Sequence, residues 1–176
     1  MEYTFTLKYR LSAEDRDQVQ LVERLGEAGC DDALVGTGQP GRIAMEFIRE
    51  ADSALAAMLS ALADVKRAIP SATLDEVAPD FVGLTDVAEM VKVTRQNMRK
   101  LMLNHSVSFP APVHEGNTAI WHLTDVFAWC RIKGLYDVDQ AAADVARIAK
   151  QINIMKEAAQ LDPDIQRQAQ ALVFCR

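Results

Sequence analysis

The stretch LTDVAEMVKVTRQNMRK, Leu84 to Lys100, decides how this chain is read. Val87, Ala88, Val91, Val93, Met98 and Leu101 recur at helical spacing and give one apolar side to two short helices. Between them Lys92-Val93-Thr94 reads as a turn. Thr85 is the expected cap of the first helix and Thr94 of the second, because a hydroxyl there accepts a hydrogen bond from the unpaired N–H groups of the first turn. The second helix should run to about Asn104 with an apolar stripe of only Met98, Leu101 and Met102. The rest of it is long, polar and basic, which suits a helix held lightly by its own domain and offered to a partner.

Downstream, Ser106 to His122 is interrupted by Pro110 and Pro112 and turns strand-like around Val113 and around Ala119 to Trp121. Glu115-Gly116-Asn117 between them reads as a hairpin tip. Thr124 is expected to cap a third helix that Gly134 ends. A long final helix should begin at Asp137, with Val138, Ala142, Val145, Ile148, Ile152, Met155 and Ala159 stepping by three and four. Such a stripe suits packing back onto the chain's own domains or self-association, and self-association is the expectation. Asp162-Pro163 breaks it, and a short helix from Asp164 to Phe174 follows.

Upstream, YTFTLKYRL alternates, with Tyr3, Phe5, Leu7, Tyr9 and Leu11 on one face, the period of a half-buried strand. Ser12 reads as a helix cap with Glu14, Asp15 and Asp17 in the first turn, and Val19, Leu21, Val22, Leu25 and Ala28 as the stripe. Ala33–Gly36 and Arg42–Arg49 read as strands around the loop TGQPG. Ala51–Ala68 reads as a helix with Leu55, Met58, Leu59, Leu62, Val65 and Ile69 buried, and Ala72–Val77 as a last strand with Leu74 inward. The order β-α-β-β-α-β in 80 residues predicts an α+β class with a ferredoxin-like sandwich. The expected units are residues 1–79, a helix-turn-helix unit over 80–136, and a helical dimerisation tail over 137–176.

The chain has 176 residues and a net charge of −6, but the charge is unevenly spread. Residues 1–80 hold 8 Lys/Arg against 15 Asp/Glu, and residues 81–136 hold 6 against 4 together with all three histidines. A mildly basic middle segment keeps nucleic acid in play where the total would argue against it. No apolar run approaches the roughly 20 residues needed to cross a bilayer. The charged, alternating start does not read as a signal peptide. Cys30, Cys130 and Cys175, odd in number and widely spaced, predict reduced thiols in a cytoplasmic protein.

Major-groove reading requires side chains at a helix start that can form paired hydrogen bonds with base edges. Arg95 suits guanine, Gln96 and Asn97 suit adenine, and Thr94, Arg99 and Lys100 suit phosphates or further base contact. A plain helical hairpin with a solvated basic face is the competing explanation. Other chemistry is poorly supported. His105, His114, His122 and Cys130 are spaced by 9, 8 and 8 residues, a pattern unlike compact zinc sites. Asp31 and Asp32 are adjacent acids of a turn, and no nucleophile sits in a catalytic motif. The glycine loop before Arg42 links two strands and opens no helix, so it lacks the dipole of a phosphate loop. The expectation is a non-enzyme without cofactors.

LTDVAEMVKVTRQNMRKLM, then FPAPV, a Gly-Asn tip and AIWHLTDVFAW resemble the winged helix-turn-helix of AlpA-type regulators and excisionases, relatives of the MerR DNA-binding domain. The resemblance covers about 50 residues. It implies that Thr94 to Lys100 enters the major groove of double-stranded DNA and that His114 to Thr118 forms a wing, with Phe109, Trp121 and Trp129 as core. His114, Glu115 and Asn117 stand where the family carries basic wing residues, and Glu115 would repel phosphate. Thr85, His114 and Asn117 join the helix residues as candidate DNA contacts. The resulting expectation is a sequence-specific transcription regulator or excisionase-like factor, dimeric through its C-terminal helix. The rivals are a protein-interaction adaptor and a small-molecule sensor without direct DNA binding.

Overall fold

The computed structural model describes residues 1–15 and 17–173. Among them are β1 (Glu2–Arg10), α1 (Gln18–Glu27), β2 (Ala33–Gly36), β3 (Arg42–Glu50), α2 (Ala54–Ala68), β4 (Thr73–Ala78) and β5 (Phe81–Val82). There follow α3 (Leu84–Met90), α4 (Arg95–Asn104), β6 (Trp121–His122), α5 (Leu123–Lys133), α6 (Gln140–Ala158) and α7 (Pro163–Val173). The class is mixed α+β. None of the described helices is long and apolar enough to cross a membrane.

The alternation of β1 is realised residue by residue, with Tyr3, Phe5, Leu7 and Tyr9 buried. β1 lies between β3 and β4, and β2 pairs with the far side of β3, all antiparallel, in the order β2-β3-β1-β4. The β1–β3 register places Phe5 opposite Phe47, and their rings stack with centroids 5.3 Å apart. Helices α1 and α2 cover this face with Leu21, Leu25, Ala57, Met58, Ala61 and Val65. The other face is open, so Leu34 and Ile48 stand 75% and 55% exposed on it.

One buried cation ties the sandwich edge together. Arg49 donates from Nε and Nη2 to both carboxylate oxygens of Asp32 (2.7 and 2.9 Å), and from Nη1 to Asp64 (2.8 Å) and Ser60 (3.0 Å). Nη2 also reaches the Gly29 carbonyl, and the guanidinium lies 5.0 Å from the Phe47 ring centroid. A planar five-donor fork can satisfy this many acceptors at once, where an ammonium could not.

A second cluster surrounds Phe109, Trp121 and Trp129, with Val87, Ala88, Met98, Leu123, Val126 and Phe127. Phe109 meets Trp121 and Trp129 edge-on at 6.0 and 5.0 Å, an arrangement aromatic quadrupoles favour. Both indole N–H groups are satisfied, Trp121 by the Pro110 carbonyl and Trp129 by the Ser108 hydroxyl. The two-residue β5 pairs with β6 and seats this unit on the chain that enters it.

Helix α6 belongs to both cores. Val145, Ile148, Ala149 and Ile152 complete the first cluster, and Ala146 is buried in the second. Its Asn153 is buried and treats β4 as a neighbouring strand would, accepting from Val77 N–H and donating to Val77 C=O, both at 2.8 Å. The same amide donates to Asp80, a fully buried carboxylate of the linker that also meets His122 Nδ1 at 2.7 Å. The Asp80 carbonyl accepts from Leu123 N–H. The linker after Ala78-Pro79 is therefore fixed at both of its polar ends.

Several expectations need correction. Asp17, rather than Ser12, caps α1, since its carboxylate accepts from Val19 and Gln20 N–H. Ser12 instead donates to Asp15, which also takes bonds from Arg24 and Ser71 and is buried. Val19 and Val22 on α1, and Leu55 and Leu59 on α2, face outward, because the sheet takes only one stripe of each helix. Leu84 rather than Thr85 opens α3, with Gly83 at the cap, and Thr124 lies inside α5, whose cap is His122. Asp139, not Asp137, caps α6. Val138, Val145, Ile148 and Ile152 of the expected α6 stripe are buried within the chain, whereas Met155 is 65% exposed and Ala159 is also exposed. The expected helix end at Phe174 and the thiol Cys175 lie outside the described residues.

Candidate nucleic-acid interface

The α3–α4 pair is closed by local hydrogen bonds. Asp86 Oδ2 accepts from Gly83 N–H at 2.7 Å, holding the start of α3. At its end Val93 N–H bonds to Ala88 C=O and Lys92 N–H to Glu89 C=O, with Lys92 at φ 57°. That pairing is a Schellman motif, in which the left-handed residue usually is glycine. Thr94 then caps α4, its hydroxyl accepting from Asn97 N–H at 3.2 Å as expected.

Only Met98 of α4 is fully buried, with Leu101 and Met102 half-buried against the same cluster. Arg95, Gln96, Asn97, Arg99 and Lys100 are exposed, and among the described residues their side chains have no hydrogen-bond or ion-pair partner. Five donor-bearing side chains are thus held on one short rigid helix with their hydrogen-bonding capacity unused. Long charged groups left this free cost little in water and gain only when another surface supplies acceptors.

The other candidates are placed separately. Thr85 is exposed in the first turn of α3. His114 and Asn117 are exposed on a hairpin closed by Val113 N–H to Ile120 C=O at 2.8 Å and Ile120 N–H to His114 C=O at 2.9 Å. Gly116 lies close to the His114 ring, where a Cβ would come within 2.9 Å of Nε2. Glu115 is exposed at the same tip.

Alternative chemistries are dispersed by the fold. His105 packs edge-on against Trp129, His122 is held by Asp80, and Cys130 is in the core. Among the described residues no group of three or more His, Cys, Asp or Glu is arranged to hold a metal. Burial pushes the Cys30 and Cys130 thiols up to about 11, which leaves them protonated and poorly nucleophilic at neutral pH. Asp31 and Asp32 diverge, Asp31 to solvent and Asp32 onto Arg49.

Three features escaped the sequence reading: the Arg49 cluster, the Asp80–Asn153–His122 junction, and a cavity of about 800 Å³ between β1, β4, the β2–β3 loop and the end of α6. One sign of the junction was present, because Asn153 is a polar residue at apolar spacing four positions after Ala149. No family model, curated protein or solved structure matches the chain.

Proposed function

We propose that the protein binds specific double-stranded DNA, as a transcription regulator or excisionase-like factor, with α4 lying in the major groove. On this reading the first unit is a ferredoxin-like sandwich and the second a winged helix-turn-helix. The observation that carries it is the unpartnered set Arg95, Gln96, Asn97, Arg99 and Lys100 on a helix anchored by Met98. Arg95 and Asn97 are the base-reading pair, and Arg99 and Lys100 take backbone phosphates. Glu115 keeps the hairpin tip away from phosphate, so recognition rests on the helix. Pairing of two copies falls to α7, the helix of the tail that is exposed at every position whose burial is described, with Ile165 and Leu172 at 66% and 86%.

Sequences selected from a random duplex library supply the test. Replacing Arg95 and Asn97 together by Ala should weaken binding to the selected site at least tenfold, since each bidentate base contact contributes about 1–3 kcal/mol. Binding should also fall steeply with salt, as phosphate contacts release counterions. Undiminished affinity in the double variant would remove α4 from the interface.

A further inference from the structure

We propose that the cavity at the basic end of the open sheet face binds a small molecule through an oxyanion, a carboxylate or a phosphate. Its volume of about 800 Å³ lies within the range of small-molecule sites, roughly 300–1,000 Å³. The floor is made by residues with little or no side chain, Gly36 opposite Ala44 in the β2–β3 register, and the β2–β3 loop and the end of α6 form the walls.

The charges around it are unequal in a way that identifies the ligand. Lys8 is neutralised by Glu76 at 2.9 Å, Arg10 by Asp75 at 2.8 Å and Lys156 by Glu157 at 2.7 Å. Arg42 has no ion-pair partner among the described residues and sits directly opposite Arg10 across the β1–β3 ladder. Like charges at directly opposed cross-strand positions destabilise a sheet. Asp75 already offsets the Arg10 charge, so an anion bound by Arg42 removes the repulsion that is left. The planar fork of Arg42 offers two parallel N–H donors, the geometry that carboxylate and phosphate oxygens accept. Net charge at the site is one positive unit with three acids nearby, which selects a small, singly or doubly charged ligand over a polyanion such as nucleic acid.

Helix α6 gives occupancy a route to the second unit. Lys156 bonds the Asp75 carbonyl beside the cavity, and two turns earlier Lys150 holds both oxygens of Asp125 on α5 at 2.8 and 2.9 Å. Any effect on DNA rests on the reading above, but the site itself does not.

Backbone and arginine side-chain NMR of the full chain, titrated separately with inorganic phosphate and with succinate at constant chloride-balanced ionic strength, tests the site without DNA. Saturable shifts should centre on Gly36, Gly38, the Arg42 Nε–H and Gln160, and whichever anion saturates identifies the oxyanion class. Arg42→Gln should weaken binding at least tenfold, and Gly36→Leu should abolish it by filling the floor while the melting curve stays cooperative. Linear, unsaturating shifts with both anions up to tens of millimolar overturn the proposal. So does saturable binding that neither substitution reduces.

Discussion

The two units of this chain solve the same problem with different means. The first buries a broad sheet face under two helices and ties its edge with Arg49, which is itself enclosed by Asp32, Asp64, Ser60 and Gly29. The second has no such sheet and relies on three edge-on aromatics and a single buried residue, Met98, to hold its outermost helix. The buried polar groups of both units are satisfied internally, and the exposed set on α4 has no partner among the described residues.

The largest expected effect breaks the first arrangement. Arg49→Ala leaves the partly buried Asp32 without its cation and Asp64 with Arg67 alone, and should cost about 3–5 kcal/mol, read from chemical denaturation. A cost near zero would mean that the cluster is solvated and unimportant. Next, Asn153→Ala uncouples the units from each other. It strands Val77 N–H and part of Asp80 in a buried site, for about 1–3 kcal/mol, and hydrogen exchange at Val77 should accelerate together with that at Leu123. If only Val77 responds, the junction does not act as one piece.

Acid separates the units further. Hydrogen bonds from Arg24, then Ser71, hold the Asp15 carboxyl below the usual carboxylate range. A group whose folded pKa is lowered contributes stability above its unfolded value, and this is lost as pH falls toward the folded one. The acid limb of a stability–pH curve should therefore flatten in Asp15→Asn. The smallest effect sharpens the second unit. Lys92 adopts a left-handed conformation that glycine takes at no steric cost, so Lys92→Gly should raise stability by about 0.5–1 kcal/mol in thermal melts. A loss instead would show that the Lys92 side chain contributes more than its backbone costs.

Strands β1 and β3 were legible because one face is buried and the other wet, which writes a period of two into the sequence. The α3–turn–α4 pair was legible for the corresponding helical reason, and Thr94 capped as expected. Helix starts were misjudged where several capping residues compete, as with Ser12 and Asp17, because both types satisfy the same orphan N–H groups. Spacing alone puts Val19, Val22, Leu55 and Leu59 inward, because apolar residues on an outer face carry the same signal as those beneath it. Most of the α6 stripe packs within the chain, an outcome that spacing leaves open, since periodicity does not record whether the facing surface belongs to the same chain. Strand β5 is too short to show a period at all. The Arg49 and Asp80 clusters join residues up to 73 positions apart, and single-sequence patterns carry no trace of such pairings. For the candidate interface, residue types and helix placement were readable, whereas the lack of internal partners for them was not.

Helix α6 also has a consequence for how the protein comes into being. Synthesis proceeds from the amino terminus, so both cores are translated before the segment that closes them, residues 140–158. Until Val145, Ala146, Ile148 and Ile152 have left the ribosome, the sandwich and the aromatic cluster each carry an uncovered apolar side. A nascent chain halted before Gln140 would therefore hold two unfinished units, and one late helix completes both.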